Sequence, residues 1–150
     1  MVVTAPDRLP ASAVPREQAR ALAALERLDP RAASLGYRAA IGRWPAESMF
    51  RVGLANALYN TGRLEEAADT LFALLQAEPD NAAALNNLAN LRLRLGDLAS
   101  ARRFAERAVL HPGPWQAAAR KTLDEIERAE RAESPERAPP ASAKPPPEAR

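Results

Sequence analysis

The hydrophobic positions along the chain fall at intervals of three and four residues. In residues 48–61 the apolar side chains on adjoining faces are Val52, Leu54, Ala55, Leu58 and Tyr59. This spacing is typical of an amphipathic α-helix. Gly62 follows, and glycine readily takes the left-handed backbone that ends many helices. A second apolar series then predicts a return helix over residues 64–77, which Pro79 ends.

The same helical pattern returns every 34 residues. The matching positions are Leu54 with Leu88, Asn56 with Asn90, Gly62 with Gly96, Leu64 with Leu98, Ala21 with Ala55 and Ala89, and Ala33 with Ala67 and Ala101. A fixed period of this length indicates stacked supersecondary units. We therefore expect helical hairpins at about residues 14–45, 46–79 and 80–113.

Capping residues, glycine and proline predict where the helices begin and end. Asp29-Pro30 predicts a cap followed by proline in the first turn, and Asp97 after Gly96 predicts another cap. The expected helices lie at about Pro15–Leu28, Pro30–Arg43, Ser48–Thr61, Leu64–Ala77, Ala82–Leu95, Leu98–Leu110 and Trp115–Arg131.

The last helix, within residues 114–132, is expected to cap the stack. Its predicted inward side consists of Trp115, Ala119, Thr122, Leu123 and Ile126, and its predicted outer side includes Asp124, Glu125 and Glu127. A stack of hairpins must cover its last apolar face with a polar outer surface. The predicted fold class is an all-α, right-handed solenoid of three hairpins plus a C-terminal capping helix. We expect an extended segment at residues 1–13 and a disordered Pro/Ala-rich tail at 133–150.

Composition and charge argue against several classes of function. The 21 basic and 19 acidic residues leave a net charge of only +2, the chain lacks cysteine, and His111 is the only histidine. The best candidates for a nucleic-acid patch are Arg92, Arg94, Arg102, Arg103 and Arg107, which are predicted to point in several directions. Motifs for a nucleophile, a phosphate loop or a metal are missing. We therefore expect no enzyme activity, no cofactor, no metal, and neither a nucleic-acid nor a membrane partner.

The repeated residues resemble the tetratricopeptide repeat, whose pattern is W-x2-L-G-x2-Y, A-x3-F and P. The central unit has Arg51-x2-Leu54-Ala55-x2-Leu58, Ala67-x3-Leu71 and Pro79, and the third unit has Leu85-x2-Leu88-Ala89-x2-Arg92 and Ala101-x3-Ala105. The resemblance covers about residues 14–113. It implies a scaffold that binds a protein or peptide, with the first helix of each hairpin lining a concave groove.

The register of this family predicts the groove residues. They are Met49, Val52, Asn56, Tyr59, Asn60, Ala83, Asn86, Asn87, Asn90, Leu93, Arg94, Gln116 and Arg120. An asparagine amide can both donate and accept, so a row of them can hold a peptide backbone. The alternative is that these asparagines bridge neighbouring helices, and both interpretations remain open. Arg94 and Arg120 either pair with a carboxylate of the ligand or are simply solvated.

A second resemblance concerns the chain as a whole. The start MVVTAPDRLPAS followed by a hairpin array is similar to the C-terminal portion of bacterial papain-like double-glycine peptidases, with residues 2–10 matching the end of an absent catalytic domain. The alternative function is therefore a docking or regulatory tail of such a peptidase. The N-terminus lacks the features of a signal peptide, so we expect a cytoplasmic protein if the chain is complete and an exported one if it is a fragment. Self-association through an exposed end of the stack is also a possibility, because the outer face of the first unit is expected to carry few polar residues.

Overall fold

The structure is a computed structural model that describes residues 14–134. These residues form seven helices. They are α1 (Pro15–Leu28), α2 (Pro30–Arg43), α3 (Ser48–Asn60), α4 (Leu64–Ala77), α5 (Ala82–Arg94), α6 (Leu98–Val109) and α7 (Gln116–Glu133). Each predicted helix is present, with bounds that differ from the prediction by at most two residues. The expected extended segment at residues 1–13 lies outside the described residues. Of the expected tail at residues 133–150, only residues 133 and 134 are described.

Local signals in the sequence set the ends of these helices. The side chains of Asp29 and Asp97 accept hydrogen bonds of 3.0 and 3.1 Å from backbone N–H groups three residues later, and so cap α2 and α6. The hydrogen bonds from Ser100 lower the pKa of Asp97. Gly62 and Gly96 have φ angles of 77° and 78°, and this left-handed backbone allows the chain to turn after α3 and α5.

Small side chains let the helices stack closely. Consecutive helices pack against each other, and α1, α3, α5 and α7 lie side by side as a second set of contacts. Ala33, Ala67 and Ala101, which share the 34-residue interval, are fully buried. A larger side chain at such a helix crossing would overpack the contact. The predicted all-α solenoid is confirmed, and α7 extends the row formed by the first helix of each hairpin.

The capping helix α7 covers the stack with four of the five residues predicted for its inward side. Ala119, Thr122 and Ile126 are buried as expected, and Leu123 is partly buried. The prediction that Trp115 faces inward is wrong, because its side chain is 40% exposed. Trp115 is the N-cap residue of α7 and follows the turn at residues 112–114, so it precedes the helical face that packs on the stack.

Ionic contacts brace α7 against α6. Arg102 Nε donates a 2.9 Å hydrogen bond to Glu130 Oε1, and Arg102 also lies within 4.0 Å of Glu106 and Glu127. The hydrogen bond from Arg102 lowers the pKa of Glu130, and the same bond raises the pKa of Arg102. About a third of both side chains is exposed, so solvent screens the pair and limits its contribution to stability.

The first hairpin exposes both basic and apolar side chains. Arg16, Arg20 and Arg27 are exposed on α1, along with Leu28 and with Leu35 of α2. These arginines lie at positions i, i+4 and i+11 of α1, and the expectation of few polar residues on the outer face at this end of the stack stays a prediction. Self-association through this end stays a prediction.

Candidate functional site

A solvent-open groove with a volume of about 510 Å³ lies between α3 and α5. Its lining residues are Ala55, Asn56, Tyr59, Leu71, Asn87, Asn90, Leu91, Leu93, Arg94 and Glu125. The groove thus brings together six residues predicted for it from the sequence, which are Asn56, Tyr59, Asn87, Asn90, Leu93 and Arg94. All six belong to the first helices of the second and third hairpins, because α3 and α5 lie side by side.

Arg94 is held in place by Tyr59 across the groove. Arg94 Nε donates a 2.8 Å hydrogen bond to the phenol oxygen, and its guanidinium carbon lies 5.7 Å from the centre of the tyrosine ring. A guanidinium over an aromatic face is attracted by the ring quadrupole. Arg94 is exposed and forms no ion pair within residues 14–134. Its two terminal nitrogens therefore remain available to an acceptor in the groove.

Two groove asparagines bridge neighbouring helices, which is one of the two roles that the sequence left open. Asn87 Nδ2 donates to Asn56 Oδ1 at 3.1 Å, so this pair bridges α5 and α3. Asn90 Nδ2 donates to the backbone carbonyl of Asn86 at 3.2 Å. In the described part of the chain, the Asn56 amide nitrogen and the Asn87 amide oxygen have no hydrogen-bond partner. These two groups are free to bind a peptide backbone.

Four residues predicted for the groove lie elsewhere, and three of them belong to or contact α7. Asn86 is only 4% exposed, and its Oδ1 lies 3.1 Å from the hydroxyl of Thr122, because α7 packs over this side of α5. Gln116 Nε2 donates to the carbonyl of Val109 at 3.0 Å and ties the start of α7 to the end of α6. Arg120 is exposed on α7 and does not line the groove.

Asn60 also serves a contact between helices rather than the groove. Its Nδ2 donates a 2.8 Å bond to one carboxylate oxygen of Glu26, and the Tyr37 hydroxyl donates a 3.2 Å bond to the other. Burial raises the pKa of Glu26, and the hydrogen bonds from Tyr37 and Asn60 oppose that rise. This cluster joins the first hairpin to α3.

Glu125 lines the groove, although the sequence predicts it on the outer face of α7. Its side chain is 42% exposed, and one carboxylate oxygen lies 3.9 Å from Lys121 Nζ. The repeat interval contained the signal, since Glu125 follows the groove residue Leu91 by 34 positions. Extending the repeat into α7 would have placed it correctly.

A second, shallower depression of about 450 Å³ continues the groove towards the N-terminal ends of α3 and α5. Its lining residues are Ser48, Met49, Val52, Asn81, Ala82, Ala83 and Trp115. Val52 lies one helical turn before Asn56, and Ala83 one turn before Asn87, so both depressions lie along the same faces of α3 and α5. Met49, Val52 and Ala83 were predicted for the groove, whereas Trp115 was not.

The described part of the chain was also expected to lack sites for a metal, a nucleic acid or a membrane. Residues 14–134 contain no group of three or more His, Asp or Glu residues positioned to hold a metal ion. Of the arginines considered for nucleic acid, Arg102 pairs with Glu130, Arg107 donates to the carbonyl of Pro79 at 2.6 Å, and Arg94 donates to Tyr59 in the groove. Across this same range, none of the helices has the length and hydropathy needed to span a membrane.

Comparison with known proteins identifies the repeat. The family model described as tetratricopeptide repeat matches residues 19–77 and 70–119, which together include most of the described helices. No curated protein matches the chain. The weaker resemblance to the tail of a double-glycine peptidase depends on residues 2–10, which lie outside the described residues.

Proposed function

Since the chain belongs to the tetratricopeptide repeat family, we propose that it binds a peptide or protein segment of a partner in the groove between α3 and α5. Repeats of this family serve in general as protein–protein interaction modules. The observation that carries the proposal is the presence of polar groups with unused hydrogen-bonding capacity in a groove open to solvent. Asn56, Asn87 and Arg94 supply these groups from two adjacent helices.

The groove suits an extended segment better than a small molecule. Its floor is apolar at Ala55, Leu91 and Leu93, while its amides can bond to backbone groups of any sequence. A bound strand would cover the floor and satisfy the free nitrogen of Asn56 and the free oxygen of Asn87. Burial of apolar area and new hydrogen bonds would then both favour binding.

The groove position can be tested with a double substitution. The variant Asn56→Ala/Asn87→Ala removes both members of a pair that bond only to each other, so it leaves no buried polar group without a partner. The matched control Asp69→Ala/Gln76→Ala removes two exposed side chains from α4. Each protein is used as bait in a cell extract, and the captured proteins are quantified by mass spectrometry.

The proposal expects at least one partner to be captured by the wild type and by the α4 control but lost from the groove variant. Both variants should melt within a few degrees of the wild type, because the substitutions are at the surface. Equal recovery of every partner by the groove variant would place binding elsewhere on the molecule and contradict the proposal.

A further inference from the structure

We propose that the segment bound in this groove carries an acidic side chain at Arg94 and an apolar side chain at Trp115, separated by about five residues. This inference rests on the proposed function and adds the chemistry of the ligand. It follows from a difference between the two ends of the groove. One end carries the charge of Arg94, and the other end is apolar at Met49, Val52 and Trp115.

The acidic preference comes from the way Arg94 is fixed. Its Nε is already bonded to the Tyr59 hydroxyl, and the tyrosine ring restricts its guanidinium, so the terminal nitrogens are held ready for an acceptor. A carboxylate is the acceptor that matches a guanidinium in charge and geometry. The acidic residue that lines the groove, Glu125, forms its ion pair with Lys121 at 3.9 Å and none with Arg94. Arg94 is therefore the groove cation without a charged partner among residues 14–134.

The apolar preference comes from the depression at the other end. Trp115 is 40% exposed and shares this depression with the half-buried Met49 and Val52. An exposed tryptophan beside apolar side chains is typical of an anchor pocket in an interface. In the described part of the chain the indole N–H has no hydrogen-bond partner, so it can donate to a carbonyl of a bound segment.

The separation between the two anchors follows from helix geometry. Ala83, which lines the apolar depression, precedes Arg94 by eleven positions on α5, or about 16 Å at 1.5 Å per residue. An extended chain advances about 3.3 Å per residue. A segment that runs along the groove between α3 and α5 therefore covers the distance from Arg94 to the apolar depression, which Trp115 also lines, with about five residues.

The inference can be tested by selection from a phage-displayed library of random peptides of about 12 residues, which are long enough to span both anchors. The immobilised proteins are the wild type, Arg94→Glu, Trp115→Ala and the charge-reversal control Arg103→Glu, which lies exposed on α6. Circular dichroism first checks that each variant keeps its helix content. One peptide selected by the wild type is then synthesised, and its affinity for each protein is measured by fluorescence polarisation.

The wild type and Arg103→Glu should select peptides with an acidic and an apolar residue about five positions apart. Arg94→Glu should select basic residues in place of acidic ones and bind the wild-type peptide about tenfold more weakly or worse, because it opposes like charges. Trp115→Ala should lose the apolar preference and keep the acidic one.

Two results would overturn the inference in distinguishable ways. Peptides without this pairing whose binding still requires Asn56 and Asn87 would refute the ligand chemistry and leave the proposed groove intact. Enrichment of no peptide, or of peptides whose binding is unchanged in Asn56→Ala/Asn87→Ala, would refute the proposed function together with the inference. Equal loss of acidic selectivity in Arg94→Glu and Arg103→Glu would show a general charge effect and would also contradict the assignment to Arg94.

Discussion

The ring of Tyr37 lies directly against the backbone of Gly53, where α2 meets α3. A β-carbon at Gly53 would come within 3.0 Å of three ring carbons of Tyr37. The ring cannot easily move aside, because Tyr37 is 3% exposed and its hydroxyl bonds to Glu26. Glycine is therefore required at this position by a neighbouring side chain, although its own backbone is helical.

Gly53→Ala should destabilise the protein even though alanine is the better helix former. We expect the free energy of unfolding to fall by about 1–3 kcal/mol from overpacking, which outweighs the gain of about 1 kcal/mol in helix propensity. Gly42→Ala is the matched control, since nothing lies within 4 Å of a β-carbon there. It should leave stability unchanged or raise it by about 0.5 kcal/mol. Urea denaturation that gave both variants the same sign would contradict this contact.

The alanines that repeat every 34 residues should tolerate enlargement poorly. Ala67 and Ala101 are fully buried, so Ala67→Leu and Ala101→Leu should each cost about 1–3 kcal/mol. Ala73 is exposed on α4, and Ala73→Leu should change stability by less than about 0.5 kcal/mol. Differential scanning calorimetry compares the three. Equal melting temperatures would show that the repeat register is not the one described.

The ionic contact between Arg102 and Glu130 should contribute modestly to the docking of α7. Arg102→Glu should lower stability by up to about 1 kcal/mol at low salt, and the exchange Arg102→Glu/Glu130→Arg should recover part of that loss. Arg103→Ala, on the exposed side of α6, serves as the control. Raising the salt concentration should shrink the difference between Arg102→Glu and the wild type. A loss that is independent of salt, with no recovery in the exchange variant, would rule out an electrostatic contact.

Tyr37 should ionise only at unusually alkaline pH. Burial raises its pKa above the ordinary value of about 10, and the nearby carboxylate of Glu26 adds to that rise. The pKa of Tyr37 is higher in the folded protein than in the unfolded one. The stabilising contribution of its neutral phenol is therefore complete below the unfolded pKa, and it is lost as the pH rises from about 10 towards the folded pKa. The unfolding free energy of the wild type should therefore decline above pH 10 more steeply than that of Tyr37→Phe.

Tyr37 and Tyr59 are the only tyrosines in the chain, so ultraviolet absorbance can isolate the titration of Tyr37. The alkaline titration of Tyr37→Phe is subtracted from that of the wild type. The difference curve should have its midpoint well above 10 in the folded protein and return to about 10 in denaturant. A folded midpoint near 10 would mean that Tyr37 is not buried against Glu26.

Sequence alone predicted the helices well because their ends depend on local residues. Asp29, Gly62, Asp97 and Gly96 act within a few positions of themselves, and the 34-residue interval then set which faces are buried. Ala67 and Ala101 are found in the core for this reason. The interval also grouped Asn56, Asn90 and their neighbours on one side of α3 and α5.

The residues that were misplaced depend on contacts that no local pattern encodes. Asn86 and Asn90 lie on the same helix one turn apart, and the Thr122 hydroxyl of α7 lies 3.1 and 3.4 Å from their side-chain oxygens, yet only Asn86 is buried by the packing of α7. A terminal cap predicts Glu125 on the outer face of α7, whereas in the structure α7 is also a wall of the groove. The pattern of hydrophobic residues predicts Trp115 on the inward side of α7, because that pattern does not reveal the path of the chain just before the helix.

Side-chain amide resonances of asparagine offer the most direct test of the binding groove. The chain has six asparagines, at positions 56, 60, 81, 86, 87 and 90. Nitrogen-15 NMR spectra are recorded with and without a partner segment that binds the wild type, after assignment by single Asn→Ala variants. The account predicts large shifts for Asn56, Asn87 and Asn90, and small ones for Asn60, which bonds to Glu26 outside the groove. Shifts that leave Asn56 and Asn87 unchanged while the segment is bound would contradict it.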